Sequence, residues 1–195
     1  MLLGVPILAL TGTADKETQR TIAKELLMKD FTEIYISPNR TNLRISVHKS
    51  DKDKLHEQLD WLVEVTKQMN VLTPKTVIFC NTLKEIAIVV NHLITKLGDF
   101  AYHPATSDEK ANLLIGIFHS ASWAHNKQSI LNSLMENGLK RIVVASTALS
   151  MGVNIQDIRY IFNWGPAGTS LDNIKKLGAG WERRCPITCH CYLSW

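Results

Sequence analysis

The stretch Lys140–Asn163, KRIVVASTALSMGVNIQDIRYIFN, decides how this chain folds. Two apolar runs within it, Ile142–Ala145 and Ile158–Phe162, have the β-branched and aromatic character of strands buried in a parallel sheet. Between them lies a string of small and hydroxyl residues: Ala145, Ser146, Thr147, Ala148, Leu149, Ser150, Met151 and Gly152. Hydroxyls and glycine gathered where a strand ends suit a ligand, because ligands of α/β sheets bind outside the carboxyl ends of strands.

The same alternation runs outward from this stretch. Thr76–Cys80 reads as a buried strand, and Leu83–Leu97 as a helix with Ile86, Val89, Val90, Leu93 and Leu97 turned inward. Leu113–Phe118 is predicted as a strand and His125–Glu136 as a helix, with Ile130, Leu131 and Leu134 as its apolar stripe. Ser170–Leu177 is predicted as a short helix and the polar insert Gly98–Asn112 as a loop. Nearer the start, Val5–Leu10 and Glu33–Ser37 are predicted as strands around a helix over Lys16–Met28, capped by Thr13 or Asp15. Leu43–Val47 reads as another strand and Leu55–Met69 as a helix. Strands alternating with helices mean right-handed βαβ units and a parallel sheet.

Composition narrows the class. The chain has 195 residues, enough for one good domain or one domain and part of another. Its hydrophobic content of 45% and charged content of 21% are ordinary for a globular chain. Five Trp and five Phe supply bulky core residues. No apolar run approaches the ~18 residues of a membrane span. The apolar opening lacks a basic start and reads as a strand rather than a signal peptide. Cys80 lies in an apolar strand while Cys185, Cys189 and Cys191 sit at the tail, a pattern of a reducing compartment rather than a disulfide framework. The net charge of +4 permits nucleic-acid binding without arguing for it, because the cations are scattered.

Several segments, taken in order, resemble the RecQ-like helicases. Ala9-Leu-Thr-Gly-Thr-Ala14 is similar to motif III, usually A-L-T-A-T-A. Ser37-Pro-Asn-Arg-Thr-Asn-Leu-Arg44 is similar to the linker F-x-R-P-N-L-x, with Thr41 where Pro is usual. Val77-Ile-Phe-Cys-Asn-Thr82 resembles motif IV, and Phe118-His-Ser-Ala121 the Y-H-A-G segment after it. The opening stretch resembles motif V, V-A-T-x-A-F-G-M-G-I-N-x-x-D-V-R.

The resemblance implies an α/β fold: a RecA-like parallel sheet with flanking helices, the helicase C-terminal domain, over 49–195. A strand–helix–strand remnant of the first RecA-like domain and the linker would precede it, over 1–48. It also implies roles. Thr11, Thr13, Asn81, Thr82, His119 and Ser146 match positions on the nucleic-acid side. Thr11, Thr13 and Thr82 equally suit helix capping, and His119 equally suits a satisfied core position. Gly152, Asn154 and Asp157 match positions facing ATP, although Asp157–Arg159 also reads as a surface turn.

Motif VI departs from the pattern. The family's Q-E-x-G-R-A-G-R-D-G places two arginines as fingers that neutralise charge on the γ-phosphate. Here Lys175-Lys-Leu-Gly-Ala-Gly-Trp-Glu-Arg-Arg184 keeps the composition but not the spacing, so Arg183 and Arg184 carry that role only by resemblance. Cys189–Leu193 again resembles the family's next strand. Its Cys189, His190 and Cys191 alternate in direction along a strand, so no metal site is expected. The sequence contains no G-x-x-x-x-G-K-[ST] loop and no D-E-x-H box. ATP and Mg2+ are therefore expected in a complete enzyme, with a first RecA-like domain upstream, and neither is expected to bind this chain tightly. The implied partner is DNA, single-stranded or at a duplex junction, without a membrane, in a nuclear or otherwise intracellular setting.

Overall fold

The computed structural model describes residues 6–11, 15–35, 42–49, 52–105, 109–136, 138–150, 155, 157–165 and 187–193. The chain divides into two compact units, Met1–Arg40 and Thr41–Trp195.

The second unit is built on a parallel sheet of β1 (Leu43–Lys49), β2 (Lys75–Cys80), β3 (Ile115–Phe118), β4 (Ile142–Ala145), β5 (Ile158–Trp164) and β6 (Ile187–Leu193). Their order across the sheet is β1-β6-β5-β2-β4-β3. The register is tight at its centre, with Phe79 beside Ala145 and Ala145 beside Phe118. Cys80 stands beside Trp164.

Crossover handedness explains where the helices lie. The path from β2 to β3 moves one way along the sheet, and the path from β3 to β4 moves back. Right-handed crossovers then put the two connecting helices on opposite faces. The first is α3 (Leu83–Leu97), following α2 (Asp60–Met69); the second is α4 (Ala124–Met135). Accordingly, Leu62, Val63, Ile86, Val89 and Leu93 pack with Ile78, Val144 and Phe162 in one cluster. Ile130 and Leu134 pack with Val77, Phe79, Val143 and Ile161 in the other. Alternate residues of each strand feed alternate clusters, as the two-residue period of a strand requires. Trp61 closes the first cluster, its ring 4.8 Å from Tyr160 and 5.6 Å from Phe162.

Two expectations shift. The predicted helix over Leu55–Met69 begins as a 3-10 helix, Lys52–Leu59, and becomes α-helical at Asp60. Apolar spacing alone does not separate these two helix types. The insert Gly98–Asn112 is not plain loop: it holds 3-10 turns at Gly98–Ala101 and Lys110–Asn112, and Tyr102 forms a bridge with Leu113. The first compact unit ends at Arg40, and Leu43–Lys49 pairs along its whole length with Ile187–Leu193.

The first unit contains α1 (Lys16–Glu25), capped by Asp15, whose carboxylate accepts the Thr18 amide at 2.8 Å. The flanking segments expected as strands are unpaired over the described residues 6–10 and 33–35. Leu10 is 83% exposed and Ile34 85%. A parallel strand exists by pairing with neighbours, and apolar character alone does not supply them. The predicted Ser170–Leu177 helix lies outside the described residues. No helix among the described residues is long and apolar enough to cross a membrane.

Candidate nucleic-acid interface

Because β2, β3, β4 and β5 are parallel, their carboxyl ends share one edge of the sheet. Asn81 and Thr82 follow β2, His119 follows β3, Ser146 follows β4 and Gly165 follows β5. The register of Phe79 with Ala145 and Phe118 sets Ser146 and His119 at one level along the strands.

Thr82 begins α3 through a reciprocal cap. Its hydroxyl oxygen accepts the Glu85 amide at 3.2 Å, and Glu85 Oε2 accepts the Thr82 amide at 3.0 Å. The same carboxylate oxygen accepts the Asn81 amide at 2.8 Å. The two backbone N–H groups that could have met a phosphate are thus occupied by Glu85. What this corner offers an anion is side-chain chemistry. A threonine hydroxyl that accepts through one lone pair still has its O–H to donate. Asn81 is exposed and lies against the end of β5, where Gly165 has φ +89°. A Cβ there would sit 3.4 Å from Asn81 Nδ2 on a backbone that L-residues rarely adopt.

Ser146 is fixed through its backbone. Its amide donates to the Phe118 carbonyl at 2.9 Å and its own carbonyl accepts the Leu149 amide at 3.2 Å. Among the described residues, its Oγ receives a long 3.4 Å contact from the Ala148 amide. His119 is half-buried. Its backbone is held to Ser122 in both directions: its amide donates to Ser122 Oγ at 3.3 Å, and its carbonyl accepts the Ser122 amide at 3.0 Å. Its Nδ1 is buried with no hydrogen-bond partner among the described residues. Lys84 is exposed beside Thr82, and Lys127 reaches back from α4 to donate to the Ser120 carbonyl at 2.6 Å. These two cations are at the same edge and were not singled out by motif reading.

Asp157 does not join this group. It precedes β5, whose first residue pairs with Lys75 at the start of β2, so it lies at the amino edge of the sheet. Its Oδ1 sits 2.9 Å from Arg159 Nε, and it adopts φ 63° in the turn. This geometry fits the surface-turn reading of Asp157–Arg159 and sets Asp157 apart from the residues at the carboxyl edge. Lys75 and Arg141 also feel its charge, which opposes the burial that pushes both below their ordinary pKa values. Between Ser146 and Asp157 the chain passes from one edge of the sheet to the other, so closeness in sequence does not survive as closeness in space.

Gly152, Asn154, Arg183 and Arg184 lie outside the described residues, as does Thr13. Thr11 is exposed in the first unit. Among the described residues no three His, Cys, Asp or Glu side chains gather as a metal site.

Comparison with known proteins agrees with this architecture. Residues 57–178 match the helicase conserved C-terminal domain. A protein of Acanthamoeba polyphaga mimivirus named as ATP-dependent RNA helicase R290 is 27% identical over 165 residues, which span 85% of this chain and 26% of that protein. The ATP-dependent DNA helicase RecQ of Haemophilus influenzae is 27% identical over 157 residues, spanning 80% of this chain and 22% of RecQ. The chain therefore covers about a quarter of the length of these curated relatives. Among solved structures, S. cerevisiae Dbp5 bound to RNA and ADP BeF3 superposes with a TM-score of 0.68 at 12% identity, covering 95% of this chain and 44% of Dbp5.

Proposed function

Because the chain belongs to the helicase conserved C-terminal domain family and is RecQ-like in sequence, we propose that it serves an ATP-dependent 3′-to-5′ DNA helicase of the RecQ type. Its part would be nucleic-acid contacts and one side of the ATP cleft. The observation that carries the reading is the carboxyl edge, where Asn81, Thr82, His119 and Ser146 meet from three neighbouring strands. Hydroxyl and amide donors there suit phosphate oxygens, and such contacts position a strand without reading its sequence. The ATP-facing part of the proposal rests on family membership alone. A P-loop and a magnesium-holding acid would have to come from another RecA-like domain, since this sequence has neither.

The test is binding of a labelled oligothymidylate by anisotropy over a salt series. Two lysines at the edge, Lys84 and Lys127, predict a shallow dependence. At about 0.7 per phosphate neutralised, the slope of log K against log salt should be roughly −1.4. Affinity should be micromolar or weaker, and ATP turnover by the chain alone indistinguishable from a blank. Tight binding that ignores salt, or clear DNA-stimulated turnover, overturns the reading.

A second reading, an RNA helicase of the same superfamily, is favoured by the relative named as an RNA helicase and by the likeness to Dbp5. Oligouridylate bound at least ten times more tightly than oligothymidylate would select it, because the 2′-hydroxyl is what separates the two at a given site.

A further inference from the structure

Trp123 is the side chain at this edge that the phosphate contacts leave unused. It is 82% exposed, more than any other large apolar side chain described in the second unit. Trp61 and Trp164 of the same unit behave differently: one stacks on Phe162 and the other is 6% exposed. An indole buries a large apolar area when it can, so a ring held in water on a rigid backbone is available for another surface.

The backbone under Trp123 is fixed from both sides. The His119–Ser122 turn precedes it, and its carbonyl accepts the Lys127 amide at 3.1 Å as the first bond of α4. The indole itself caps nothing, and the first turn of α4 carries no acidic residue. Lys127 places an ammonium on the Ser120 carbonyl in the same turn. Position along the sheet matters most. β3 is the outermost strand beyond β4 and β2, so His119 ends the row Asn81–Ser146–His119, and Trp123 follows it by four residues along the chain. Strands spaced ~4.8 Å apart make that row about 10 Å long. This is roughly three nucleotides at the ~3.4 Å stacked rise.

We propose that Trp123 is a stacking platform for one base of a single-stranded nucleic acid whose phosphates follow the carboxyl edge past Asn81, Ser146 and His119. The inference rests on the nucleic-acid reading above and adds a contact of a different kind. The edge holds phosphates; the indole holds a base. Base–aromatic stacking tolerates any sequence, as a translocating strand requires.

The test compares the full chain with Trp123→Ala and Trp123→Phe, each binding labelled oligothymidylate and an abasic strand of equal length. Trp123→Ala should weaken oligothymidylate binding about 5-fold to 100-fold, while Trp123→Phe stays within about 3-fold of the parent. Neither variant should change binding of the abasic strand, which has phosphates but no base. Unchanged thermal unfolding of both variants confirms that no cap was lost. Equal losses on the two strands, or no loss in Trp123→Ala, overturn the stacking role while leaving the phosphate edge intact. Absence of binding by the parent chain to either strand overturns both.

Discussion

The backbone amide of Ser146 donates a 2.9 Å hydrogen bond to the carbonyl oxygen of Phe118, joining the end of β4 to the end of β3. The bond fixes the first residue of the motif V loop without using its hydroxyl. Stability and ligand contact at this position are therefore separable. Ser146→Ala should change folding stability by less than about 0.5 kcal/mol. It should weaken single-strand binding by roughly 3-fold to 10-fold, the loss of one ordinary hydrogen bond of about 1 kcal/mol. Urea unfolding and anisotropy on the same preparation check both halves. A large stability loss with unchanged binding would assign Ser146 to the fold alone.

Thr82 and Glu85 are the opposite case, because their side chains are used by the fold. Thr82→Ala should cost about 1 kcal/mol, the usual value of an N-cap. Glu85→Ala should cost a similar amount, since it releases the amides of both Asn81 and Thr82. The two residues share one cap, so the double variant should lose less than the sum of the single losses. Urea midpoints of the three variants test this. Glu85→Gln keeps an acceptor but removes a negative charge from the proposed phosphate edge, so DNA affinity should rise while stability falls slightly.

The limits α3 shares with its sequence prediction, Leu83–Leu97, come from this same chemistry. A Thr-x-x-Glu cap and an apolar stripe are local signals that no distant partner can cancel. β4 was equally legible, because a short β-branched run buried on both faces has few alternatives. The first unit was not, since apolar residues at 6–10 could announce a strand but could not supply its partner. Asp157 shows a different limit of sequence reading. Its motif gives order along the chain, whereas the sheet separates Ser146 from Asp157 by the length of a strand. Trp123 was counted among bulky core residues because composition carries no information about exposure.

Lys75 is 3% exposed, and its ammonium donates to the Leu134 carbonyl at 2.6 Å in the last turn of α4. A cation there complements the negative end of the helix. Lys75→Met keeps most of the apolar stem and removes the charged donor, so it should destabilise by about 1–3 kcal/mol. The proposed DNA contacts lie at the other edge of the sheet, so binding should not change once the variant is folded. Loss of binding without loss of stability would place Lys75 in the interface instead.

The acid side of the stability profile should be governed in part by His92. Its side chain is 12% exposed, its Nε2 is 3.6 Å from Asp60 Oδ1, and its ring lies 5.0 Å from that of His56. Burial holds its pKa below the ordinary 6.5, with His56 and Lys96 acting in the same direction and Asp60 opposing them. At 3.6 Å the Asp60 contact is too long for a hydrogen bond, so the neutral imidazole is favoured. A base with a depressed folded pKa binds fewer protons folded than unfolded, and stability rises with pH through that window. The contribution is complete above 6.5 and is lost as pH falls through that value toward the lower folded pKa. The slope from one such group cannot exceed about 1.4 kcal/mol per pH unit, and partial solvent access lowers it. Denaturant midpoints between about pH 8 and 5 should therefore fall less steeply in His92→Gln than in the parent chain. His56→Gln should also flatten the profile, because the charge interaction with His56 is one of the causes that lower the His92 pKa. Superimposable profiles for the parent and His92→Gln would assign the acid sensitivity to other groups.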